Sequence, residues 1–216
     1  MDHGFWIERW REGKIGFHEG QPNSLLERHV ERLGVERRVL VPLCGKSDDL
    51  AFLAGRGHSV VGAELVEDAV RAFFSEHAIT PTVTRRGEHV EYTADAITIF
   101  AGDFFTLSPA LVGPIDAFYD RAALVALPRD QRREYVDHLY TLLAPGSRGL
   151  LITFEYPDGA MTGPPFSVPE AEVRTLHAGT TVEVLERRRD PRDRLPEAIE
   201  LCYAVQLPRA SQNRLS

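Results

Sequence analysis

The chain has 216 residues, a length that corresponds to a single domain. Hydrophobic residues make up 43% of it and charged residues 26%, a globular balance that excludes disordered and fibrous proteins. The formal net charge of −7 argues against a protein whose main partner is the phosphate backbone of nucleic acid. We expect one folded domain over residues 1–216 that binds no nucleic acid.

Cysteine content and hydropathy narrow the cellular setting. Cys44 and Cys202 are too few for the disulfide framework of a small secreted domain, and no CxxC or HExxH spacing indicates a zinc site. No stretch approaches about 18 consecutive apolar residues, and the charged N-terminal segment lacks the apolar run of a signal peptide. We therefore expect a cytoplasmic protein without a metal ion and without membrane contact.

Strand and helix signals alternate after the N-terminal segment. The apolar run Arg38–Pro42 predicts a strand, and the amphipathic residues 48–56 predict a helix that ends among glycines. Residues 59–65 predict a second strand, and residues 66–77 place apolar side chains at helical spacing. This order predicts a parallel sheet that is covered by helices on both faces.

The rest of the chain continues the pattern and then departs from it. Residues 79–95 lose the helical period and predict a hairpin before the strand that contains AITIF. The elements predicted beyond it are a strand at 115–119, a long helix from about 129 to 143, a strand at 149–156, a helix at 169–177, and β-rich runs at 181–188 and 199–207. The last two runs follow each other closely, which predicts an antiparallel pair at the sheet edge.

Ligands of a doubly wound sheet bind beyond the carboxyl ends of its strands, so the segments LCGKS, GAEL, GDFF, YDRAAL and FEYPDG are the candidates. LCGKS is not a P-loop, because Leu40 stands where the motif needs its first glycine. The dinucleotide fingerprint GxGxxG also fails, because only Gly45 is present. These absences disfavour a ligand with a diphosphate.

Glu64 ends the second strand about 20 residues after the first turn, where an acid commonly binds ribose hydroxyls. Together with a first turn that lacks the pyrophosphate glycines, it suits a nucleoside such as S-adenosylmethionine. The alternative is that Glu64 only caps the following helix. If Glu64 only binds the ribose, replacing Glu64 by Ala should weaken cofactor binding and leave the fold intact.

Other strand-end residues have two interpretations each. Asp103 lies where an adenine amino group or a ribose edge could be met, or it is an N-cap. Arg121 lies where a methyl acceptor would bind, and it could also form a structural salt bridge with Asp120, its most plausible orienting partner. The N-terminal arm contains both tryptophans, Phe17 and a candidate base, His18. This arm could close over a planar ligand or simply pack on the core.

These segments, in this order, resemble the thiopurine S-methyltransferase family in its bacterial branch. The resemblance covers nearly the whole chain and rests on the series FWIERW, GKIGFHEG, VLVPLCGKSDDLAFLAGRGHSVVGAEL, GDFF, YDRAALVALP, LLITFEYP and GPPFSVP. It implies an α/β, doubly wound, mostly parallel seven-stranded sheet of the methyltransferase type with an antiparallel edge strand. It also implies an N-terminal helical arm over residues 1–36 that covers the active site of a Rossmann-like core over residues 37–216.

The resemblance further implies a donor, an acceptor and their contacts. The donor is S-adenosylmethionine, the product is S-adenosylhomocysteine, and the acceptor is an aromatic or heterocyclic thiol or a selenium or tellurium species. The implied contacts with the cofactor are Trp10, Leu43, Gly45, Glu64, Leu65, Gly102, Asp103, Phe104 and Arg121. The implied contacts with the substrate are Phe17, Arg121, Pro165 and Phe166, with Arg121 as the catalytic residue.

Positioning and exclusion of water would carry most of the catalysis, because an aromatic thiol ionises without a strong base. We carry over no substrate-contacting arginine from the basic residues 187–194, and we expect a monomer. The alternatives are a nicotinamide-dependent oxidoreductase and a nucleoside-binding module without catalytic activity.

Overall fold

The computed structural model describes residues 3–13, 19–190 and 197–210. Within these ranges the strands form one sheet in the order β3-β4-β5-β2-β1-β6-β7-β9-β8. Their bounds are β1 Arg38–Pro42, β2 Ser59–Glu64, β3 Thr82–Arg86, β4 His89–Ala94, β5 Ile97–Ala101, β6 Ile115–Arg121, β7 Leu143–Glu155, β8 Thr181–Arg189 and β9 Ile199–Gln206.

The α-helices are α1 His3–Arg11, α2 Ser24–His29, α3 Asp49–Gly55, α4 Glu67–Glu76, α5 Pro109–Val112, α6 Arg132–Thr141 and α7 Glu170–Leu176. Short 3-10 turns are at Val30–Leu33, Phe104–Thr106, Leu124–Ala126 and Arg129–Gln131. Among the described residues, no helix is long and apolar enough to cross a membrane.

The central strands β5, β2, β1, β6 and β7 are parallel, as the alternation of strands and helices predicts. Successive side chains on a strand point to opposite faces, and the core divides accordingly. Leu40 belongs to one buried cluster, while its neighbours Val39 and Val41 belong to the other. Helices cover both faces, which confirms the doubly wound α/β fold.

The predicted antiparallel pair is confirmed as β8 and β9. Strand β9 also pairs antiparallel with β7, so it lies one position in from the edge. Strand β8 closes that edge and runs in the direction of β7. This pair joins the five parallel strands to give the seven strands that the resemblance implies.

Two further strands extend the opposite edge, so the sheet has nine strands in the described part of the chain. The predicted hairpin is β4 and β5, which pair antiparallel from Val90 with Ala101 to Ala94 with Ile97. The additional strand β3 was missed because all five of its residues are exposed and it therefore has no apolar face in the sequence. The predicted long helix is also shorter than expected: it begins at Arg132 after a 3-10 turn, and it ends at Thr141.

The segment before β1 is tied to the far edge of the sheet. Leu25 and Leu26 are fully buried in one of the two core clusters. On the surface, Arg28 Nη2 lies 2.7 Å from Glu186 Oε1 on β8. Helix α2 is thus fixed to the sheet by apolar contacts, with an ion pair at the rim that contributes little by itself.

Candidate functional site

The predicted site residues after β1, β2, β5 and β6 all lie at the carboxyl edge of the sheet, because these four strands are parallel neighbours. Two non-glycine residues there have positive φ angles: Leu43 (47°) after β1 and Ala122 (64°) after β6. Both line a small cavity of about 20 Å³ together with Arg121. Strained backbone of this kind concentrates at ligand-binding edges.

Glu64 connects β2 to the turn after β1. Its Oε2 accepts a hydrogen bond from Gly45 N at 2.8 Å, and its Oε1 accepts one from Val66 N at 2.8 Å. The side chain is buried, and burial raises the pKa of Glu64, although the backbone donors act in the opposite direction. Both oxygens therefore have an ordered backbone partner.

Glu64 does not cap α4, because its partner Val66 N belongs to the residue that precedes the helix and is not one of the unpaired N–H groups of the first helical turn. These hydrogen bonds still allow a contact with a ligand, since each carboxylate oxygen can accept more than one hydrogen bond. The ribose contact of Glu64 stays a prediction. What the structure adds is a second function, which is to hold Gly45 and its turn in position.

The segment after β5 is built around Gly102. Gly102 N donates to Glu64 O at 2.8 Å, and its φ of 153° is a conformation that other residues rarely adopt. A Cβ at this position would lie 2.5 Å from His89 Cδ2. Asp103 Oδ1 accepts a hydrogen bond from Phe105 N at 3.0 Å, so Asp103 is the N-cap of the following 3-10 turn.

Phe104 is a core residue. Its side chain is almost fully buried, with its ring centroid 5.3 Å from that of Tyr135 and 5.0 Å from that of His138. A contact between Phe104 and a cofactor would therefore involve the backbone of Phe104 rather than its ring.

A cleft of about 450 Å³ lies between α1 and the beginning of α4. Trp10 on α1 and Leu65 after β2 both line it, as does Lys46. The structure thus brings together two residues that the sequence analysis assigned to the cofactor. Phe17 and His18 lie outside the described residues.

Arg121 ends β6, and its side chain is only 8% exposed. Its Nη2 lies 2.5 Å from Glu19 Oε1, in the geometry of an ion pair rather than of an aligned hydrogen bond. Burial acts to lower the pKa of Arg121, but Tyr119, Glu19, Asp49 and Glu200 together raise it. The guanidinium is therefore a permanently charged group among carboxylates.

The expectation that Asp120 orients Arg121 is wrong. Strand β6 extends to Arg121, so Asp120 and Arg121 are consecutive strand residues whose side chains point to opposite faces. Asp120 instead accepts hydrogen bonds from Tyr135 Oη at 2.7 Å and from Leu124 N at 3.1 Å. Burial raises the pKa of Asp120 to about 6.

The residues that position Arg121 come from the N-terminal segment and α3. Asn23 Nδ2 donates to Glu19 Oε2 at 3.3 Å, and Asn23 N donates to Asp49 Oδ1 at 2.7 Å. Asp49 Oδ2 accepts from Tyr119 Oη at 3.0 Å. Burial raises the pKa of Asp49, and the charge of Arg121 acts against this shift. Sequence reasoning missed this cluster, and only the N-cap pattern of Asn23 signalled any part of it.

The loop with Pro165 and Phe166 is anchored next to β6 and β7. Phe166 N donates to Val125 O at 2.7 Å, four residues after Arg121. Tyr156 Oη, just beyond β7, donates to Pro165 O at 2.7 Å. This loop therefore lies beside the segment that follows Arg121.

The basic residues at the end of β8 have structural partners. Arg187 pairs with Glu170, and Arg188 pairs with the buried Glu200 and donates to Ser24 Oγ at 2.7 Å. Residues 191–196 lie outside the described part of the chain.

No group of three or more His, Cys, Asp or Glu side chains that could hold a metal ion occurs among the described residues. The expected absence of a metal stays a prediction.

Comparison with known proteins relates most of the chain to one family. The sequence profile of the thiopurine S-methyltransferase family matches residues 1–201. A thiopurine S-methyltransferase of Pseudomonas syringae pv. tomato is 50% identical over 181 residues, covering 83% of this chain and 82% of that protein. One from Vibrio cholerae serotype O1 is 51% identical over 184 residues, covering 84% of this chain and 83% of its own.

Solved structures share the fold at low sequence identity. A 1,6-didemethyltoxoflavin-N1-methyltransferase of Burkholderia thailandensis, with bound S-adenosylhomocysteine, has a TM-score of 0.65 and 17% identity. The match covers 95% of this chain and 87% of that one. A SAM-dependent methyltransferase of Methanosarcina mazei has a TM-score of 0.64 and 14% identity, over 88% of this chain and 100% of its own.

Proposed function

The chain belongs to the thiopurine S-methyltransferase family and is an S-adenosylmethionine-dependent methyltransferase, and we propose that it methylates the sulfur of an aromatic or heterocyclic thiol. The observation that carries this acceptor class is the position of Arg121. Arg121 is a buried, always-charged guanidinium at the carboxyl end of β6. The loop of Pro165 and Phe166 is hydrogen-bonded to Val125, four residues after Arg121, and in this proposal it supplies an aromatic wall. This combination suits a planar ring that bears a soft, negatively charged sulfur.

The donor side of the proposal rests on the cleft between α1 and α4. Trp10 and Leu65 offer apolar surface for a nucleoside, and Glu64 offers carboxylate lone pairs to ribose hydroxyls. Gly102 and Asp103 offer backbone and carboxylate groups to the adenine side. When bound, S-adenosylmethionine supplies a methyl group that is already electrophilic on its sulfonium.

The chain's own residues then have to align the acceptor and keep water away. Arg121 holds the acceptor sulfur in its negative form, and the Phe166 loop encloses the ring. The substrate contact of Phe17, which the family resemblance implies, lies outside the described residues. An aromatic thiolate is a strong enough nucleophile that in-line positioning and desolvation account for the rate. Asp120 plays no direct part, because its side chain is on the other face of β6.

A methyl-transfer screen with S-adenosylmethionine tests the proposal. The acceptors are benzenethiol, a mercaptopurine, an aliphatic thiol and the phenol that matches benzenethiol, and the readout is S-adenosylhomocysteine formed per enzyme. We expect turnover with both aromatic thiols, much less with the aliphatic thiol, and none with the phenol. Failure of both aromatic thiols, with S-adenosylmethionine bound normally by calorimetry, would reject this acceptor class.

Selenite and tellurite form a second arm of the same screen, with a chemical reductant added, because only their reduced forms, such as a selenolate, are soft nucleophiles like a thiolate. Calorimetry with NAD discriminates the rival oxidoreductase: binding of NAD without binding of S-adenosylmethionine would contradict the family assignment. A bound donor without transfer to any acceptor would favour the nucleoside-binding module. Absence of nucleic-acid and membrane partners, a cytoplasmic location and a monomeric state stay predictions, and gel filtration tests the last.

A further inference from the structure

The main chain on both sides of Phe166 is held by hydrogen bonds. Phe166 N donates to Val125 O at 2.7 Å, and Tyr156 Oη donates to Pro165 O at 2.7 Å. Ser167 Oγ accepts from Tyr156 N and donates to Tyr156 O, each at 3.0 Å. Because these bonds fix the backbone at Phe166, the place of its ring depends on rotation of the side chain and on what the ring rests against.

The Phe166 ring rests against the main chain of Gly163. A Cβ at Gly163 would lie 2.6 Å from Phe166 Cε1 and 2.8 Å from Phe166 Cγ, and closer still to Cδ1. An approach in the plane of the ring would leave Cγ and Cε1 much farther away than Cδ1, so this Cβ would lie over the face of the ring. The absence of a side chain at Gly163 therefore lets one face of the Phe166 ring pack on the backbone.

We propose that Gly163 is a positioning residue that holds the Phe166 ring in place as the aromatic wall of the acceptor site. This inference rests on the proposed function, in which the loop of Pro165 and Phe166 supplies that wall. Since one face of the ring lies on Gly163, the acceptor stacks on the opposite face. Stacked aromatic rings need a defined separation, so the position of the wall determines how well a planar acceptor binds.

A side chain at Gly163 would act on this wall in a definite direction. Because hydrogen bonds hold the backbone of Phe166, an added Cβ pushes the ring away from Gly163 and into the space of the acceptor. The competing role of Gly163 is only to allow the turn, because its φ of 67° is a conformation that favours glycine. That role does not depend on the Phe166 ring, so the two roles give different results when the ring is removed.

The test is a double-mutant cycle of Gly163→Ala and Phe166→Ala, with benzenethiol as the acceptor. In Gly163→Ala the KM for benzenethiol should rise by about three- to tenfold, the effect of losing one aromatic contact, with a smaller change in kcat. In Phe166→Ala this KM should rise by a similar factor, and adding Gly163→Ala should raise it no further. The affinity for S-adenosylhomocysteine, measured by calorimetry, should stay at the wild-type value in all three variants.

Gly159→Ala is the matched control. Gly159 lies in the same segment between β7 and α7, and its φ of 79° makes an alanine there strained as well. Apart from its neighbours in the chain, no atom of the described residues lies within 4 Å of a Cβ at this position. The KM for benzenethiol in Gly159→Ala should therefore equal that of the wild-type protein. An equal rise in Gly159→Ala and Gly163→Ala would attribute the effect to backbone strain and would overturn the proposal.

Other results also reject the positioning role of Gly163. One is a KM for benzenethiol that Gly163→Ala or Phe166→Ala leaves unchanged, and another is an equal further rise when Gly163→Ala is added to Phe166→Ala. A matching loss of S-adenosylhomocysteine affinity in Gly163→Ala indicates a distortion of the whole site and rejects the role too. In all these cases the wild-type protein still methylates benzenethiol, so the proposed function stands.

Two outcomes concern the proteins themselves. If the wild-type protein binds S-adenosylmethionine but methylates no aromatic thiol, the proposed function fails and the inference fails with it. Should Gly163→Ala not fold, the double variant decides. A folded double variant with the KM of Phe166→Ala supports the contact between Gly163 and the ring, whereas an unfolded one indicates backbone strain and rejects the proposal.

Discussion

Glu64 accepts a hydrogen bond from Gly45 N at 2.8 Å, so the end of β2 and the turn after β1 are joined by a buried carboxylate. The same carboxylate accepts from Val66 N at the start of α4. One side chain thus fixes two neighbouring backbone segments at the carboxyl edge. Any ligand contact of Glu64 is built on an already ordered group.

Replacing Glu64 by Ala should destabilise the protein as well as weaken cofactor binding. The variant leaves the N–H groups of Gly45 and Val66 without their acceptor, and each buried unsatisfied donor costs about 1–3 kcal/mol. We expect the free energy of unfolding to fall by about 2–4 kcal/mol in urea titrations. The expectation from sequence that this replacement leaves the fold intact changes accordingly.

The ribose contact itself is tested with ligands. Calorimetry compares S-adenosylhomocysteine with its 2′-deoxy and 3′-deoxy analogues, in the wild-type protein and in Glu64→Gln. If Glu64 binds a ribose hydroxyl, removal of that hydroxyl should cost less affinity in the variant than in the wild type. Equal losses in both proteins would leave Glu64 with only its structural role, which is to hold the backbone of Gly45 and Val66. Glu91→Gln, which loses an exposed ion pair with Arg86, is the control.

Replacing Gly102 by Ala should shift the segment after β5 and weaken cofactor binding. The new Cβ would lie 2.5 Å from His89 Cδ2, at a φ of 153° that an L residue rarely adopts. We expect a loss of about 1–3 kcal/mol in unfolding free energy and weaker binding of S-adenosylhomocysteine. Gly87→Ala is the control, since its φ is also positive but no atom lies within 4 Å. Equal effects in the two variants would show that only backbone strain matters.

The order of strands and helices was predictable because the spacing of apolar residues and the positions of glycines are local signals. Strand β3 was not predictable, because all of its residues are exposed and they do not alternate between apolar and polar. The pairing of Asp120 with Arg121 was wrong because the strand was expected to end at Tyr119, whereas it continues to Arg121. Residues beyond a strand can turn toward each other, but consecutive residues within a strand point apart.

The partners of Arg121 could not be read from sequence, because they come from distant positions. Glu19 precedes α2, and Asp49 begins α3. Only the folded chain brings them to the end of β6. Local patterns locate the edge where ligands bind, while the charges that surround one side chain at that edge depend on the complete topology.

Replacing Arg121 by Ala should lower kcat/KM for aromatic thiolates by tenfold or more, about the effect of losing one charged contact to the acceptor. It should also lower the free energy of unfolding by about 2 kcal/mol, because the buried ion pair with Glu19 is broken and the favourable charge interaction with Asp49 is lost. Arg121→Met combined with Glu19→Gln separates the two effects. This double variant should recover stability in urea titrations and remain poorly active. Wild-type kcat/KM in Arg121→Ala on every anionic acceptor would remove Arg121 from the mechanism.

Replacing Asp120 by Asn should stabilise the protein at neutral and alkaline pH. Asp120 is buried, and its burial raises its pKa to about 6 despite hydrogen bonds from Tyr135 and Leu124. A raised pKa means that the folded state holds this proton more tightly than the unfolded chain does. The contribution of Asp120 therefore becomes less favourable as pH rises from about 4 to about 6, and it stays so above that range.

Asn imitates the protonated form of Asp120: its oxygen can accept from Leu124 N–H and its amide can donate to the Tyr135 oxygen, while the Tyr135 O–H loses the acceptor that the charged carboxylate provides. A shift of about two pKa units corresponds to about 3 kcal/mol, so Asp120→Asn should be more stable than the wild type by up to that amount at about pH 8. The difference should vanish toward about pH 4, where Asp120 is protonated. Urea unfolding at several pH values measures it.

The variant difference isolates Asp120 because other titrating groups are common to both proteins. His177, whose pKa burial lowers to about 4, makes folding less favourable as pH falls below about 6.5, but it does so equally in each. Asp137→Asn, which replaces an exposed partner of Arg133, is the control and should change the free energy of unfolding by less than about 1 kcal/mol. If Asp120→Asn were less stable by the same amount at every pH, the pKa of Asp120 would not differ between the folded and the unfolded chain, and the predicted cost of burying its charge would be wrong.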